Sequence, residues 1–160
     1  MTEKMLSAGD IAPDFTLPQD GGDPVTLSAL APAPVVLYFY PKDSTPGCTT
    51  EALDFSALKE QFDALGVQVF GLSKDSLKRH ENFRAKQGFS VPLLSDADND
   101  VCERYGTWGE KKNYGRTYMG ITRTTFLIGP DGKIAQAWHK VKVKGHADEV
   151  LAAARALVGA

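Results

Sequence analysis

Six consecutive residues, Val35-Val36-Leu37-Tyr38-Phe39-Tyr40, are apolar or aromatic without interruption. A strand with one wet face alternates apolar and polar side chains, so a run with no polar position must be covered on both faces. This stretch therefore belongs at the centre of a layered α/β sheet. Pro41 to Gly47 follow at once as a turn rich in Pro, Ser, Thr and Gly, and Cys48 stands where a helix-like pattern begins. A strand, a turn and a helix start place that sulfur among backbone N–H groups without intrahelical acceptors, where the helix dipole favours a thiolate. The plainer reading is a small buried cysteine. A polar turn is a poor place to bury one.

The rest of the chain supplies the layers. Asp10 to Pro18 is too proline-broken for a helix and reads as an extended N-terminal arm, followed by a turn over Gln19–Pro24 and a short strand around Val25–Leu27. From Thr49, Phe55, Leu58, Phe62 and Leu65 recur at helical spacing, with Gly66 as a C-cap. Val67–Ser73 is a second strand. Asp75 is placed to cap a helix that runs to Gln87 and closes at Gly88. Val91–Leu94 is short and extended, Asp96–Tyr105 holds a short helix, and a loop rich in Gly, Lys and Tyr follows. Thr124–Ile128 and Lys133–His139 flank Gly129-Pro-Asp-Gly132, a strong hairpin signal, and Ala147–Leu157 is an Ala-rich closing helix. This order predicts a mixed central sheet with helices on both faces. At 160 residues the chain fits one domain able to bury a core without disulfides, and its first eight or so residues are expected to be flexible.

Composition narrows the partners. Eighteen Lys and Arg against twenty Asp and Glu give a net charge of −2, which argues for neither nucleic acid nor an acidic membrane. Lys140-Val-Lys-Val-Lys144 reads as a half-buried strand with a charged outer face. Ala29 to Tyr40, the longest apolar run, is broken by two prolines and too short for a bilayer span. The N-terminal stretch lacks the charged start, apolar core and small-residue cleavage site of a leader, so a cytoplasmic location is expected. His80, His139 and His146 are scattered, and with two distant cysteines they show no metal-ligand spacing. No phosphate-binding or dinucleotide motif is present, and no cofactor is expected.

Pro41, Thr45 and Cys48, in the spacing Pro-x-x-x-Thr-x-x-Cys, resemble the peroxide-reducing site of the peroxiredoxins. The string Thr45-Pro-Gly-Cys-Thr-x-Glu51 is similar to the bacterioferritin comigratory protein, or Q-type, branch of that family. Gly109-Glu-Lys-Lys, Tyr118-Met-Gly-Ile121, Arg123-Thr-Thr-Phe-Leu-Ile128 and Val141-Lys-Val-Lys-Gly-His146 follow in that branch's order. The resemblance implies a thioredoxin-like fold and a monomeric thiol peroxidase acting on hydrogen peroxide and small organic hydroperoxides. It makes Cys48 the nucleophile, Thr45 and Arg123 the groups that hold substrate and charge, and Pro41 the shield. Gly47 offers a backbone N–H, and Glu51, expected in the first helical turn, ties down the arginine. The implied partners are a peroxide and a thioredoxin- or glutaredoxin-type reductant.

One departure matters. Many members of the branch resolve the cysteine sulfenic acid with a second cysteine five residues on, where this chain has Leu53, or within the next helix, where His80–Gln87 has none. Cys102 matches neither position. It reads first as buried and inert, which leaves a one-cysteine cycle; resolution of Cys48 by Cys102 through an unusual pairing is the alternative. Other chemistries fit less well. A disulfide oxidoreductase needs Cys-x-x-Cys, but Glu51 occupies the partner position, and a cysteine hydrolase needs a His base that the sequence does not place. A non-catalytic peroxide sensor or chaperone-like binding module would keep Cys48 and drop turnover.

Overall fold

The computed structural model describes residues 5–159. Its elements are β1 (Thr16–Gln19), β2 (Gly22–Thr26), a 3₁₀ turn (Leu27–Leu30), β3 (Val35–Phe39), α1 (Pro46–Ala57), α2 (Lys59–Ala64), β4 (Gln68–Ser73), α3 (Leu77–Gln87), β5 (Leu93–Ser95), α4 (Val101–Arg104), β6 (Trp108–Asn113), β7 (Arg116–Ile121), β8 (Thr124–Ile128), β9 (Ile134–Trp138) and α5 (His146–Val158). Seven strands form one mixed sheet in the order β2-β1-β5-β4-β3-β8-β9. β3 is parallel to β4 and antiparallel to β8, so the all-apolar run lies inside the sheet as its lack of polar positions requires.

Two cores follow from the period-2 alternation of β3. Val35, Leu37 and Phe39 face a core built with Ala12 and Phe15 of the arm, Val101 and Cys102 of α4, and Tyr105. Val36, Tyr38 and Tyr40 face the other, built with Cys48, Ala52 and Phe55 of α1, Phe62 of α2, Phe83 of α3 and Val150 and Leu151 of α5. The thioredoxin-like layout, with helices on both faces and an extended arm, is present. Of the expected flexible start, residues 1–4 lie outside the described residues. From Met5 the chain is tied down: Leu6 packs on the first core, and its carbonyl accepts from His139 Nε2 at 2.8 Å.

The structure corrects several local readings. The turn expected over Gln19–Pro24 is tighter, because β1 and β2 form a hairpin registered Gln19 to Gly22 around Gly21 at φ +70°. The single helix expected from Thr49 to Leu65 is two. Leu58 breaks it at φ −99°, ψ 0°, and the apolar spacing survives because Phe55 and Phe62 on either side stay buried together. Ser76, not Asp75, caps α3 by accepting from the Arg79 N–H, while Asp75 turns toward the chain ahead of α1. The loop read after Tyr105 is the β6–β7 hairpin, whose turn places Tyr114 at φ +51° and Gly115 at φ +75°. The side chains of β7 are exposed from Arg116 to Met119, so no burial pattern announced it. The lysine-rich stretch after β9 is not a strand. Its alternation is real, with Val141 and Val143 half-buried, but among the described residues it joins neither sheet.

Candidate active site

The turn after β3 delivers Cys48 to the third residue of α1. Thr45 is the N-cap residue with extended backbone angles, and Pro46 opens the helix, where a missing N–H costs nothing. The first intrahelical bond runs from the Thr49 N–H to the Thr45 carbonyl at 2.9 Å, so the N–H groups of Gly47 and Cys48 precede it. Cys48 is buried and unbonded to any other sulfur. Its thiol belongs to the core and its backbone to an anion-favouring helix start.

Arg123 reaches this helix start from the approach to β8. One guanidinium nitrogen donates to Cys48 Sγ at 3.4 Å and another to Glu51 Oε1 at 2.6 Å. The fork suits two acceptors held at a fixed separation. Gly47 makes room for it: a Cβ there would stand 3.1 Å from the Arg123 Nη2. Glu51 lies in the second turn of α1, not the first, and its side chain is only 1% exposed. Burial pushes its carboxyl up to about 7 against the pull of Arg123, and Oε2 has no hydrogen-bond partner among the described residues.

Thr45 donates its hydroxyl to the Lys42 carbonyl at 2.9 Å, which commits the proton and leaves the oxygen's lone pairs to accept from a ligand. Pro41 is half-buried at the end of β3. Thr45, Gly47, Cys48 and Glu51 therefore lie at one helix start, joined by Arg123 from 75 residues along the chain from Cys48, and Pro41 precedes them on the turn after β3. Cys102 does not join them. It packs with Leu37 and Phe39 on the opposite face of β3, and burial, with Asp96 beside it, pushes its thiol well up.

Sequence reasoning missed four neighbours. Asp43, on the turn, is 5% exposed and accepts from the Tyr40 hydroxyl at 2.6 Å. His80, read as one of three scattered histidines, is fully buried, with Nδ1 2.6 Å from Asp43 Oδ2 and Nε2 2.9 Å from the Leu94 carbonyl. His146 shares a 2.8 Å hydrogen bond with Thr125 Oγ1; burial, then the Arg123 charge, hold it down at about 4, so it is neutral at pH 7. Lys111 bonds the Ile121 carbonyl at 2.9 Å, and burial and Arg123 lower its pKa. Only Asp43 carried a local signal, as the acidic residue of a turn.

Residues 8–137 match the model of the AhpC/TSA family. The chain is 52% identical over 156 residues to peroxiredoxin Bcp of Xanthomonas campestris, covering 98% of each. It is 44% identical over 146 residues to peroxiredoxin Bcp of Escherichia coli, covering 91% of this chain and 94% of that one. Among solved structures, Xanthomonas campestris peroxiredoxin Q superposes with a TM-score of 0.85 at 53% identity, over 90% of this chain and 91% of its own. The bacterioferritin comigratory protein of the same organism, solved as trapped intermediate and ligand complexes bearing on alkyl peroxide reduction, gives 0.84 at 53% identity over 90% and 92%.

Proposed function

The chain belongs to the AhpC/TSA family, in its Bcp or Q-type peroxiredoxin branch, and is a peroxidase; we propose that Cys48 is the atom that meets the peroxide. The carrying observation is the Arg123 fork, which joins the Cys48 sulfur to the buried Glu51 and sets a positive charge where a thiolate and a departing oxygen both need one.

The Cys48 thiolate attacks the nearer peroxide oxygen in line with the O–O bond. A sulfur–oxygen bond forms, the O–O bond breaks, and its electron pair leaves on the distal oxygen, which takes a proton to become water or an alcohol. Thr45 accepts from the peroxide O–H, the helix-start N–H groups of Gly47 and Cys48 donate to its oxygens, and Arg123 stabilises the charge that moves from sulfur to oxygen. Pro41, half-buried and with no N–H to attract water, shapes the turn that leads to the sulfur. Hydrogen peroxide and small organic hydroperoxides are the substrates. A large leaving group would have to enter a site whose nucleophile is 2% exposed.

Cys48 is left as a sulfenic acid. With Cys102 across the sheet, an external thiol attacks that sulfur, expels water and forms a mixed disulfide; a second thiol releases Cys48 and completes the two-electron oxidation. A thioredoxin- or glutaredoxin-type protein carries both thiols, and a monomer suffices because every residue of the site comes from one chain. Intact mass of the reduced protein after one equivalent of hydrogen peroxide tests the scheme. Gain of one oxygen in wild type and in Cys102→Ser, and none in Cys48→Ser, is expected. Loss of two hydrogens without dimerisation would mean an internal Cys48–Cys102 disulfide and overturn the one-cysteine cycle, and oxygen uptake by Cys48→Ser would overturn the nucleophile.

A further inference from the structure

The turn that carries Thr45 has one hydrogen bond of its own, from the Thr45 hydroxyl to the Lys42 carbonyl, and is otherwise held from outside. Ser44 stands at φ +66°, the left-handed region that a side chain other than Gly or Asn enters only when its neighbours fix it there. Asp43, just before it, is fastened at three points. Its Oδ1 accepts from the Tyr40 hydroxyl at 2.6 Å, its Oδ2 meets His80 Nδ1 at 2.6 Å, and its N–H donates to Asp75 Oδ2 at 2.8 Å. His80 in turn sits on α3 with Nε2 against the Leu94 carbonyl of β5 at 2.9 Å. A carbonyl and a carboxylate both accept, so both ring nitrogens donate and the ring is an imidazolium. Asp75 is locked as well, since its Oδ2 also accepts from Ser73 at 2.8 Å and its carbonyl from Ser95 at 2.6 Å.

We propose that His80 is a positioning residue for peroxide reduction: by donating to Asp43 and Leu94 at once, it fastens the Pro41–Thr45 turn to α3 and β5 and fixes the Thr45 hydroxyl at the start of the helix that carries Cys48. The path is short. Asp43 holds the backbone next to the Lys42 carbonyl, that carbonyl takes the Thr45 proton, and the orientation of the Thr45 lone pairs follows. The fastening serves the oxidation step, in which a small substrate must be aligned, and not the attack of an external thiol on the sulfenic acid, which has first to reach a sulfur only 2% exposed.

This rests on the reading of Cys48 and Thr45 given above, and two half-reactions measured separately keep the two ideas apart. Oxidation of Cys48 by hydrogen peroxide is followed by rapid mixing, and capture of the sulfenic acid by the chromogenic thiol thionitrobenzoate is followed in a second mix. His80→Gln is expected to oxidise about tenfold more slowly, the scale of a small misalignment of reacting groups, while capture is unslowed. Ser44→Gly in the His80→Gln background should restore part of the oxidation rate, because glycine holds φ +66° without outside help. Asp75→Asn, which leaves the Asp43–His80 pair intact, gives a smaller fall of the same sign and serves if His80→Gln does not fold. Oxidation within about twofold of wild type in the folded variants, or equal slowing of both half-reactions, overturns the positioning role. No oxidation of the wild-type protein would overturn the peroxidase site itself.

Discussion

In the proposed mechanism the guanidinium of Arg123 carries more of the chemistry than any other group except the sulfur. Its two donors are directed to acceptors of different kinds, a thiol at 3.4 Å and a carboxylate at 2.6 Å. Lysine would keep the charge but has no rigid fork to serve both. Arg123→Lys is therefore expected to lower kcat/KM for hydrogen peroxide by about 10²-fold, the scale of one lost transition-state donor, with the fold retained by circular dichroism. A fall of less than about threefold would remove the fork from the mechanism. Cys48 was marked by a local signal, a strand, a turn and a helix start within a few residues, whereas the roles read for Thr45 and Pro41 came with the resemblance. Arg123 came from the resemblance alone, and nothing near it in sequence marks it as more than a solvated arginine. His80 was not legible at all, since what gives it a role is a carboxylate 37 residues away.

Among the elements, α3 shows how a helix can be fixed by its polar face. Arg84 bonds both carboxylate oxygens of the buried Asp20, at 2.6 and 2.9 Å, and donates to the carbonyls of Phe89 and Val91. Asp20 is 6% exposed and also accepts from the Leu93 N–H, so it ties β1, β5 and α3 together. Arg84→Ala leaves a buried carboxylate without its cation, and a loss of about 3 kcal/mol in urea-determined stability is expected. A loss under about 1 kcal/mol would mean that water reaches Asp20 and screens it. The helix itself was read correctly from Gln87 and Gly88, because its C-terminal signal is chemical: Gly88 adopts φ +72°. The β6–β7 hairpin was missed for the opposite reason. Apart from its two-residue turn, its signal is backbone pairing, and pairing leaves no mark on a strand such as β7, whose side chains stay in water from Arg116 to Met119.

At the scale of the whole molecule, Glu51 couples the site to stability. Its carboxyl sits at about 7 in the folded protein against an ordinary 4.5, with burial as the main cause. The folded state thus holds a proton there that the unfolded state has lost between those values. The contribution to stability is full below about pH 4.5 and is lost as pH rises through about 7, a total of about 3 kcal/mol. Glu51→Gln should remove this part of the pH dependence, which urea titrations at pH 5 and pH 8 would show as a smaller difference than in wild type. An unchanged difference would place the titration elsewhere.

What the sequence determined by itself is whatever depends on neighbours along the chain. An all-apolar run had to become a doubly covered strand, and Gly and Pro turns had to end elements where they stand. A cysteine after such a turn had to meet a helix start. What only the tertiary structure decided is which distant groups share a low-dielectric space. The alternation of β3 puts Cys48 and Cys102 in separate cores, and Arg123 and Glu51 meet only because β8 lies against β3 beneath α1. Charge, hydrogen bonding and access to sulfur act over a few ångströms in space, and no periodicity along the chain encodes a separation of 75 residues that folding closes to 3.4 Å.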